Sequence, residues 1–184
     1  MNEKQNLKTG YIKLIIGWLV VLAIRLFPFR PPNVEPILAT LMPFSKRFGP
    51  LTGFLFGSFS IIFLDMAVGR VGMWTLVTAL AYGLLGVYSH FSLRNKRGVS
   101  SYVITGVIGT LVYDAVTGLS VGPLFFGQSF MGALIGQIPF TLMHVAGTVA
   151  FSLTVSPFVE RWIIGAPRLE TGAIFARLNF FASK

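Results

Sequence analysis

Six apolar segments, separated by polar gaps that hold most of the basic residues, constrain this chain more than any other feature. They lie at about 11–27, 34–45, 49–68, 72–91, 101–119 and 132–157. Most reach the roughly 17 to 25 residues that a helix needs to cross the hydrocarbon of a bilayer, although the second does not. Only 11% of the residues are charged, well below the roughly 25% of soluble domains. The sequence therefore predicts an all-α integral membrane protein: a six-transmembrane-helix bundle forming a single domain over residues 1–184.

The distribution of charge predicts which side of the membrane each gap faces. A net charge of +9 could suggest nucleic acid, but the basic residues lie in the gaps rather than on one soluble face, so we expect no nucleic-acid partner. Cytoplasmic loops collect Lys and Arg. If all six segments cross from a cytoplasmic amino terminus, twelve of the fifteen basic residues lie inside, and Arg25, Arg30 and Arg70 lie outside. Both termini are then cytoplasmic. Without the short second crossing, Lys46 and Arg47 would break this pattern.

The first two segments are joined by a loop at 25–36 that contains four prolines. Proline fixes its own φ and restricts the residue before it, so the loop is expected to be stiff rather than helical. It would hold Arg30, Asn33 and Glu35 in fixed positions over the helices below. We interpret it as part of the mouth of a small-molecule site.

Three consecutive segments carry polar side chains at helical spacing. Those of segment six are Gln137, Thr141, His144 and Thr148; those of segment five are Thr110, Tyr113, Asp114 and Thr117; those of segment four are Trp74, Thr75, Thr78 and Tyr82. Steps of three and four residues place each set on one helix face. Unsatisfied polar groups cost several kcal/mol in lipid, so the stripes are expected to face one another. They are either structural interhelical hydrogen bonds or the walls of a site.

Ionisable residues within a span suggest a functional site with a partner. For Asp114 the expected partner is His144 or Arg30, and for Asp65 it is Arg70. With Glu35, the outer half then holds three acids and three bases.

Two further stretches have open interpretations. The uncharged stretch 118–130, which contains Phe125, Phe126 and Gln128, is either a lid over an aromatic-lined pocket or a re-entrant stretch lying on lipid. The tail at 158–184 interleaves arginines with aromatics, which suits an amphipathic helix on an anionic inner leaflet or a docking face for a partner.

Together these features resemble a known family. They are the six helices with both ends inside, the proline-rich first loop, Gly49-Pro50-x-x-Gly53-x-x-x-Gly57, and Gln137-Ile138-Pro139-Phe140-Thr141. Over roughly residues 11 to 160 the chain resembles the substrate-binding S component of an energy-coupling factor transporter, the vitamin-uptake class of ABC importers. The resemblance implies a subunit of a bacterial or archaeal plasma membrane that captures a vitamin-like or micronutrient molecule at the outer face. It implies delivery by toppling while docked on a transmembrane T component driven by two ATPases.

The resulting substrate-binding candidates are Arg30, Asn33, Glu35, Asp65, Arg70, Trp74, Tyr113, Asp114, Gln128, Gln137, Thr141 and His144. No G-x-x-x-x-G-K-[ST] occurs, so ATP-driven transport would need a partner subunit.

Two alternatives remain. An intramembrane enzyme could use Asp114 and His144 as a base, but Ser100 and Ser101 lie beside the basic inner loop, far from that pair. A small scaffold of cell-envelope assembly would not need converging stripes. A metal site would want more than His90 and His144, which are expected at different depths, and the chain has no cysteine. We predict no catalytic residues, metal or cofactor.

Overall fold

The computed structural model describes residues 3–29 and 34–173, with side chains from residue 10 onward, and every regular element in this part of the chain is helical. The helices are α1 (Glu3–Arg25), α2 (Ile37–Phe48), α3 (Pro50–Ala67), α4 (Met73–Leu93), α5 (Val99–Phe125) and α6 (Phe130–Phe158). A π-helix, Val159–Ile164, continues α6, and a short 3-10 helix follows at Pro167–Leu169. The all-α prediction is confirmed for these residues.

Within the described residues, four helical stretches are long and apolar enough to cross a membrane. They are Pro50–Ala67, Met73–Leu93, Val99–Phe125 and Phe130–Ile164. Their outward faces suit lipid: Leu76, Leu80 and Leu84, four residues apart on α4, are each more than half exposed. The chain therefore has the character of a multi-pass membrane protein.

The short α2 lies at the centre of the bundle. Ten of its twelve residues are buried, and it contacts each of the other five helices. Phe44 of α2 stacks on Phe56 of α3 with ring centroids 4.9 Å apart, and Trp18 of α1 stacks on the same Phe56 at 5.4 Å. At 1.5 Å per residue α2 is about 18 Å long. By itself it is shorter than the roughly 30 Å hydrocarbon core.

The chain enters the bundle before α2 begins. Glu35 Oε2 lies 3.0 Å from the Tyr82 hydroxyl, and Tyr82 is about 14 Å along α4 from Met73 at the standard helical rise. Val34 lies against α6 at Gly147, where an added Cβ would be 2.9 Å from the Val34 Cα. The second apolar segment, predicted at 34–45, is thus a short non-helical entry followed by a helix that begins inside the protein.

Close contacts between glycines join α3 to α4. A Cβ added at Gly53 or at Gly86 would overlap the facing backbone or side chains, so only glycine allows the two helices to approach this closely. Ser45 of α2 donates to the Gly86 carbonyl at 2.5 Å, which ties the central helix to this contact. Between α2 and α3 the chain reverses at Gly49, whose φ of +101° favours glycine.

Two predicted boundaries are wrong. The stretch 118–130 is mostly helical, because α5 continues to Phe125 and leaves only 126–129 as a connection. Ser120 donates to the Val116 carbonyl inside this extension, and Ser129 caps α6 by accepting from the Gly132 amide at 3.1 Å. The predicted tail at 158–184 does not begin as a separate helix, since the helix of α6 runs on to Ile164; its part beyond residue 173 lies outside the described residues.

Candidate functional site

Six side chains meet in the interior where α4, α5 and α6 surround the entry to α2. We call Arg25, Glu35, Tyr82, Tyr113, Asp114 and His144 the polar cluster. Each of the three long helices supplies at least one member, and the entry segment supplies Glu35. The cluster is built from two charged or polar groupings bridged by aromatic rings.

The first grouping is the pair formed by Asp114 and His144. His144 Nδ1 donates to Asp114 Oδ1 at 2.8 Å, and the two side chains are 4% and 1% exposed. One turn from the pair, the hydroxyls of Thr110 and Thr148 lie 2.8 Å apart. The predicted partnership of Asp114 with His144 is therefore confirmed, as is the expectation that the stripes of α5 and α6 face each other.

One acceptor of this pair has no partner. In the part of the chain that the structure describes, Asp114 Oδ2 is buried without a hydrogen bond. An unsatisfied carboxylate oxygen inside a protein carries a desolvation cost of about 1–3 kcal/mol or more. A ligand that donates a hydrogen bond to Oδ2 would remove that cost.

The second grouping joins Arg25, Glu35 and Tyr82. Arg25 forms an ion pair with Glu35, and Tyr82 donates to the other carboxylate oxygen at 3.0 Å. Glu35 is therefore held by two partners rather than free at the mouth of a loop. Sequence reasoning missed Arg25 and Tyr82, although Arg25 is one of only three basic residues expected outside and Tyr82 lies on the stripe of α4.

Aromatic rings connect the two groupings. The Tyr82 and Tyr113 rings have centroids 4.8 Å apart, and the Tyr113 ring meets His144 edge-on at 5.8 Å. The Phe140 ring also meets the imidazole edge-on, with centroids 5.8 Å apart. This packing fixes the orientation of the imidazole that donates to Asp114.

Asp65 does not pair with Arg70 as predicted. Its Oδ2 accepts from the Thr75 hydroxyl at 2.5 Å. The backbone amide of Arg70 donates to the Asp65 carbonyl oxygen at 2.8 Å. The turn between α3 and α4 leaves the Arg70 side chain exposed. Trp74 is also exposed, at 47%, because it lies one residue away from the buried face that Thr75 and Thr78 share. These residues close the end of a helix pair, and the hydrogen bond of Asp65 goes to Thr75 rather than to a member of the polar cluster.

The other predicted residues are dispersed. Gln128 is exposed in the connection before α6, and Gln137 donates to Thr141 at 3.1 Å along α6. Phe125 and Phe126, expected to stack on a ligand ring, are 57% and 69% exposed. Arg30 and Asn33 lie outside the described residues.

Apolar grooves flank α5 on both sides. One of about 230 Å³ lies between α4 and α5, with Tyr113 in its wall. The other, of about 320 Å³, lies between α5 and α6 and includes Gln137 and Thr141. Asp114 and His144 line neither groove. The Tyr113 ring therefore gives the polar cluster an apolar neighbour, and walls of that kind are usual around small-molecule sites.

Among the described residues, no three His, Asp or Glu side chains lie close enough together to hold a metal ion. His90 lies apart from His144 and places its Nδ1 2.9 Å from the Ser45 carbonyl oxygen.

Comparison with known proteins identifies the family. The UPF0397 protein YdcD of Lactococcus lactis subsp. lactis (strain IL1403) is 32% identical over 168 residues, covering 88% of each chain. The chain belongs to the UPF0397 family. A UPF0397 protein of Lactococcus lactis subsp. cremoris (strain NZ9000) is 27% identical over 168 residues with the same coverage of both chains. No family model matches the chain, and no solved structure does. The alignment to UPF0397 proteins spans most of the chain, so these relatives match its membrane domain as a whole.

Proposed function

We propose that this UPF0397 protein is the substrate-binding membrane subunit of an importer of the energy-coupling factor type. It would capture a small vitamin-like molecule at the outer face of the plasma membrane. The observation that carries the proposal is the buried Asp114 carboxylate, oriented by His144 and left with one unpartnered oxygen. Functional ionisable groups inside membrane proteins are typically held in this way.

The position of the polar cluster favours capture from the outside. α2 is too short to fill the thickness of the bundle, so the entry segment and Glu35 lie within it rather than above it. Arg25 and Glu35 are about one-fifth exposed, at 20% and 18%, whereas Asp114 is buried, so a ligand from the outer end would meet the ion pair first. These groups offer both donors and acceptors beside apolar walls.

The contacts at the opposite end support a cytoplasmic assignment for that end. Lys13 of α1 donates to the Ile164 carbonyl at 2.7 Å, and Lys46 at the end of α2 pairs with Glu160 at 2.7 Å. The beginning of α1, the end of α2 and the end of α6 therefore share one basic face. The positive-inside rule places such a face in the cytoplasm. We accordingly propose six membrane segments, with α2 as a partial one, and both termini inside.

Transport would depend on partners, because the sequence has no P-loop. We propose a transmembrane T component and two ATPase subunits. Tagged protein purified from its native membranes should carry these subunits with it. Concentrative uptake by vesicles that contain this chain alone would contradict the proposal.

The ligand role is tested by mass spectrometry of small molecules retained by the purified protein. Asp114→Ala should weaken retention by about 1–3 kcal/mol, or about 5- to 150-fold, because the ligand loses its acceptor. Ser92→Ala is the control: it removes a 2.8 Å hydrogen bond to Thr105 near the basic face and should leave retention unchanged. Equal retention by both variants would move the site away from the cluster.

Binding is a better-supported role for the pair than catalysis. An acid–base pair that serves a hydrolase needs a nucleophile within hydrogen-bond reach. The neighbouring hydroxyls of Thr110 and Thr148 already bond to each other, and Tyr82 is engaged with Glu35. We therefore propose that the chain is not an enzyme.

A further inference from the structure

The basic end of the bundle contains a recess that the proposed transport function does not use. Two adjoining cavities, of about 600 Å³ and about 460 Å³, share Lys46, Arg94 and Glu160 in their walls. We call them together the basic recess. Six cations line it: Lys13, Lys46, Arg47, Arg94, Lys96 and Arg97. Only Glu160 and Glu170 oppose them, so the walls carry a net charge of +4.

Some of these cations are already engaged and give the recess a fixed floor. Lys13 is buried and donates to the Ile164 carbonyl. Lys46 pairs with Glu160, donates to the Tyr102 hydroxyl at 3.3 Å and lies 5.1 Å from the Tyr102 ring centroid. These contacts join α1, α2, α5 and the π-helix, so the floor is part of the packed bundle.

The cations of the rim are available. Within residues 10–29 and 34–173, the side chains of Arg94, Lys96 and Arg97 form no ion pair or hydrogen bond, and all three are exposed. The Arg94 guanidinium lies 5.4 Å from the Phe91 ring centroid. Arginine presents a planar fork that matches a phosphate bidentately. A rim with two such arginines over a cationic floor is suited to a phosphate group.

The surroundings place the recess at the level of lipid head groups. Phe91 and Trp162 are 57% and 55% exposed at the same end, and the Arg161 guanidinium lies 5.6 Å from the Trp162 ring. Tryptophan is enriched at the membrane–water interface, and arginines collect in the adjoining cytoplasmic loops. Ile104 and Ile108 continue the exposed apolar surface along α5, which begins beside the recess. Acyl chains can lie against that surface while a head group occupies the recess.

We propose that the basic recess binds the phosphate of an anionic phospholipid from the adjacent leaflet. Basic pockets between membrane helices on the cytoplasmic side bind such head groups in other proteins. The shared chemistry is a phosphate anion, and two features favour lipid over a soluble anion: the interfacial aromatics and the apolar flank of α5. This site stands apart from the polar cluster and holds whether or not the chain is an importer subunit.

The test measures binding of short-chain lipids to the purified full-length protein by native mass spectrometry. The probes are dioctanoyl phosphatidylglycerol, dioctanoyl phosphatidylcholine and inorganic phosphate. We expect phosphatidylglycerol to bind more tightly than either of the others. Equal binding of the two lipids would mean that the tails adsorb without head-group recognition, and equal binding of inorganic phosphate would assign the recess to a soluble anion. Either result overturns the proposal.

Two matched double variants separate a site from diffuse charge. Arg94→Gln with Arg97→Gln removes two arginines from the rim, whereas Arg70→Gln with Arg168→Gln removes two exposed arginines that lie outside the recess walls. The rim variant should weaken phosphatidylglycerol binding about 30-fold, because it removes two near-surface cations that attract anionic lipid. The control variant should change phosphatidylglycerol binding by less than about threefold, because salt screens exposed charges that lie away from the recess. Equal losses in the two variants would refute a specific recess. All exchanged residues are exposed, so both variants should keep the parental melting temperature.

Discussion

Replacing His144 by alanine should destabilise the protein more than replacing its partner, Asp114. In His144→Ala, both carboxylate oxygens of Asp114 lose protein partners, since Oδ2 has none among the described residues and Oδ1 accepts from His144. In Asp114→Ala, the remaining imidazole can stay neutral and leaves one ring nitrogen unbonded. The pair should therefore respond asymmetrically.

The geometry sets the magnitudes. Leaving a buried charged group without its partner costs about 3–5 kcal/mol, whereas an interhelical hydrogen bond in a membrane protein averages about 0.6 kcal/mol. Asp114 is 1% exposed, so the first figure governs His144→Ala, for which we expect about 3 kcal/mol. Asp114→Ala leaves a neutral group unpaired and should cost about 1 kcal/mol. The double variant should recover about 1–2 kcal/mol relative to His144→Ala, because the stranded carboxylate is gone.

Reversible unfolding in mixed micelles of dodecylmaltoside and sodium dodecyl sulfate, followed by the fluorescence of the three tryptophans, gives these free energies. Thr148→Ala is the control, since it removes a neutral bond of equal length, 2.8 Å, one turn away. It should cost about 1 kcal/mol or less. Equal losses for His144→Ala and Asp114→Ala, with no recovery in the double variant, would show that Asp114 is stabilised by something other than His144.

Two further predictions concern packing and topology. Gly86→Ala should lower the free energy of unfolding by about 1–3 kcal/mol, since its Cβ would overlap the backbone of Gly53. Gly136→Ala is the control, because no atom lies within 4 Å of the added Cβ. It should change the free energy of unfolding by less than about 0.5 kcal/mol in the same assay. In intact cells, a cysteine at Phe126 should react with an impermeant thiol reagent while one at Asn95 should not, and the reverse pattern would invert the proposed orientation.

Periodicity was sufficient to find the pair between α5 and α6. Asp114 and His144 lie on polar stripes with steps of three and four residues. Two neighbouring helices in lipid turn such stripes toward each other, because unsatisfied polar groups are costly in the hydrocarbon. Arg30, the other partner considered for Asp114, lies outside the described residues. The composition and lengths of the apolar runs likewise predicted long helices over most of the chain, because hydrocarbon thickness fixes what a span needs.

Partners that depend on loop geometry could not be predicted in this way. Arg70 is five residues from Asp65, yet the turn directs its side chain outward while Thr75 reaches the carboxylate at 2.5 Å. Arg25 reaches Glu35 across the proline-rich loop, a contact set by the entry of the chain into the bundle. The central place of α2 was equally hidden, because the residues from Ile37 to Ser45 are all buried and a helix buried all round is not oriented by its sequence pattern.

The charges of the polar cluster indicate which ligands suit it. Among its described side chains, Glu35 and Asp114 are acids, Arg25 is a base, and His144 donates to Asp114. The Arg25–Glu35 pair balances itself, so Asp114 leaves the cluster short of one positive charge or hydrogen-bond donor. Glu35 immediately precedes the N-terminal region of α2, where the helix dipole favours a negative charge. The carboxylate of Glu35 is therefore stabilised by the protein itself and does not need a ligand to balance it. A ligand that presents a donor to Asp114 Oδ2 meets the remaining need, whereas one that presents only a carboxylate there would face Asp114 as a like charge.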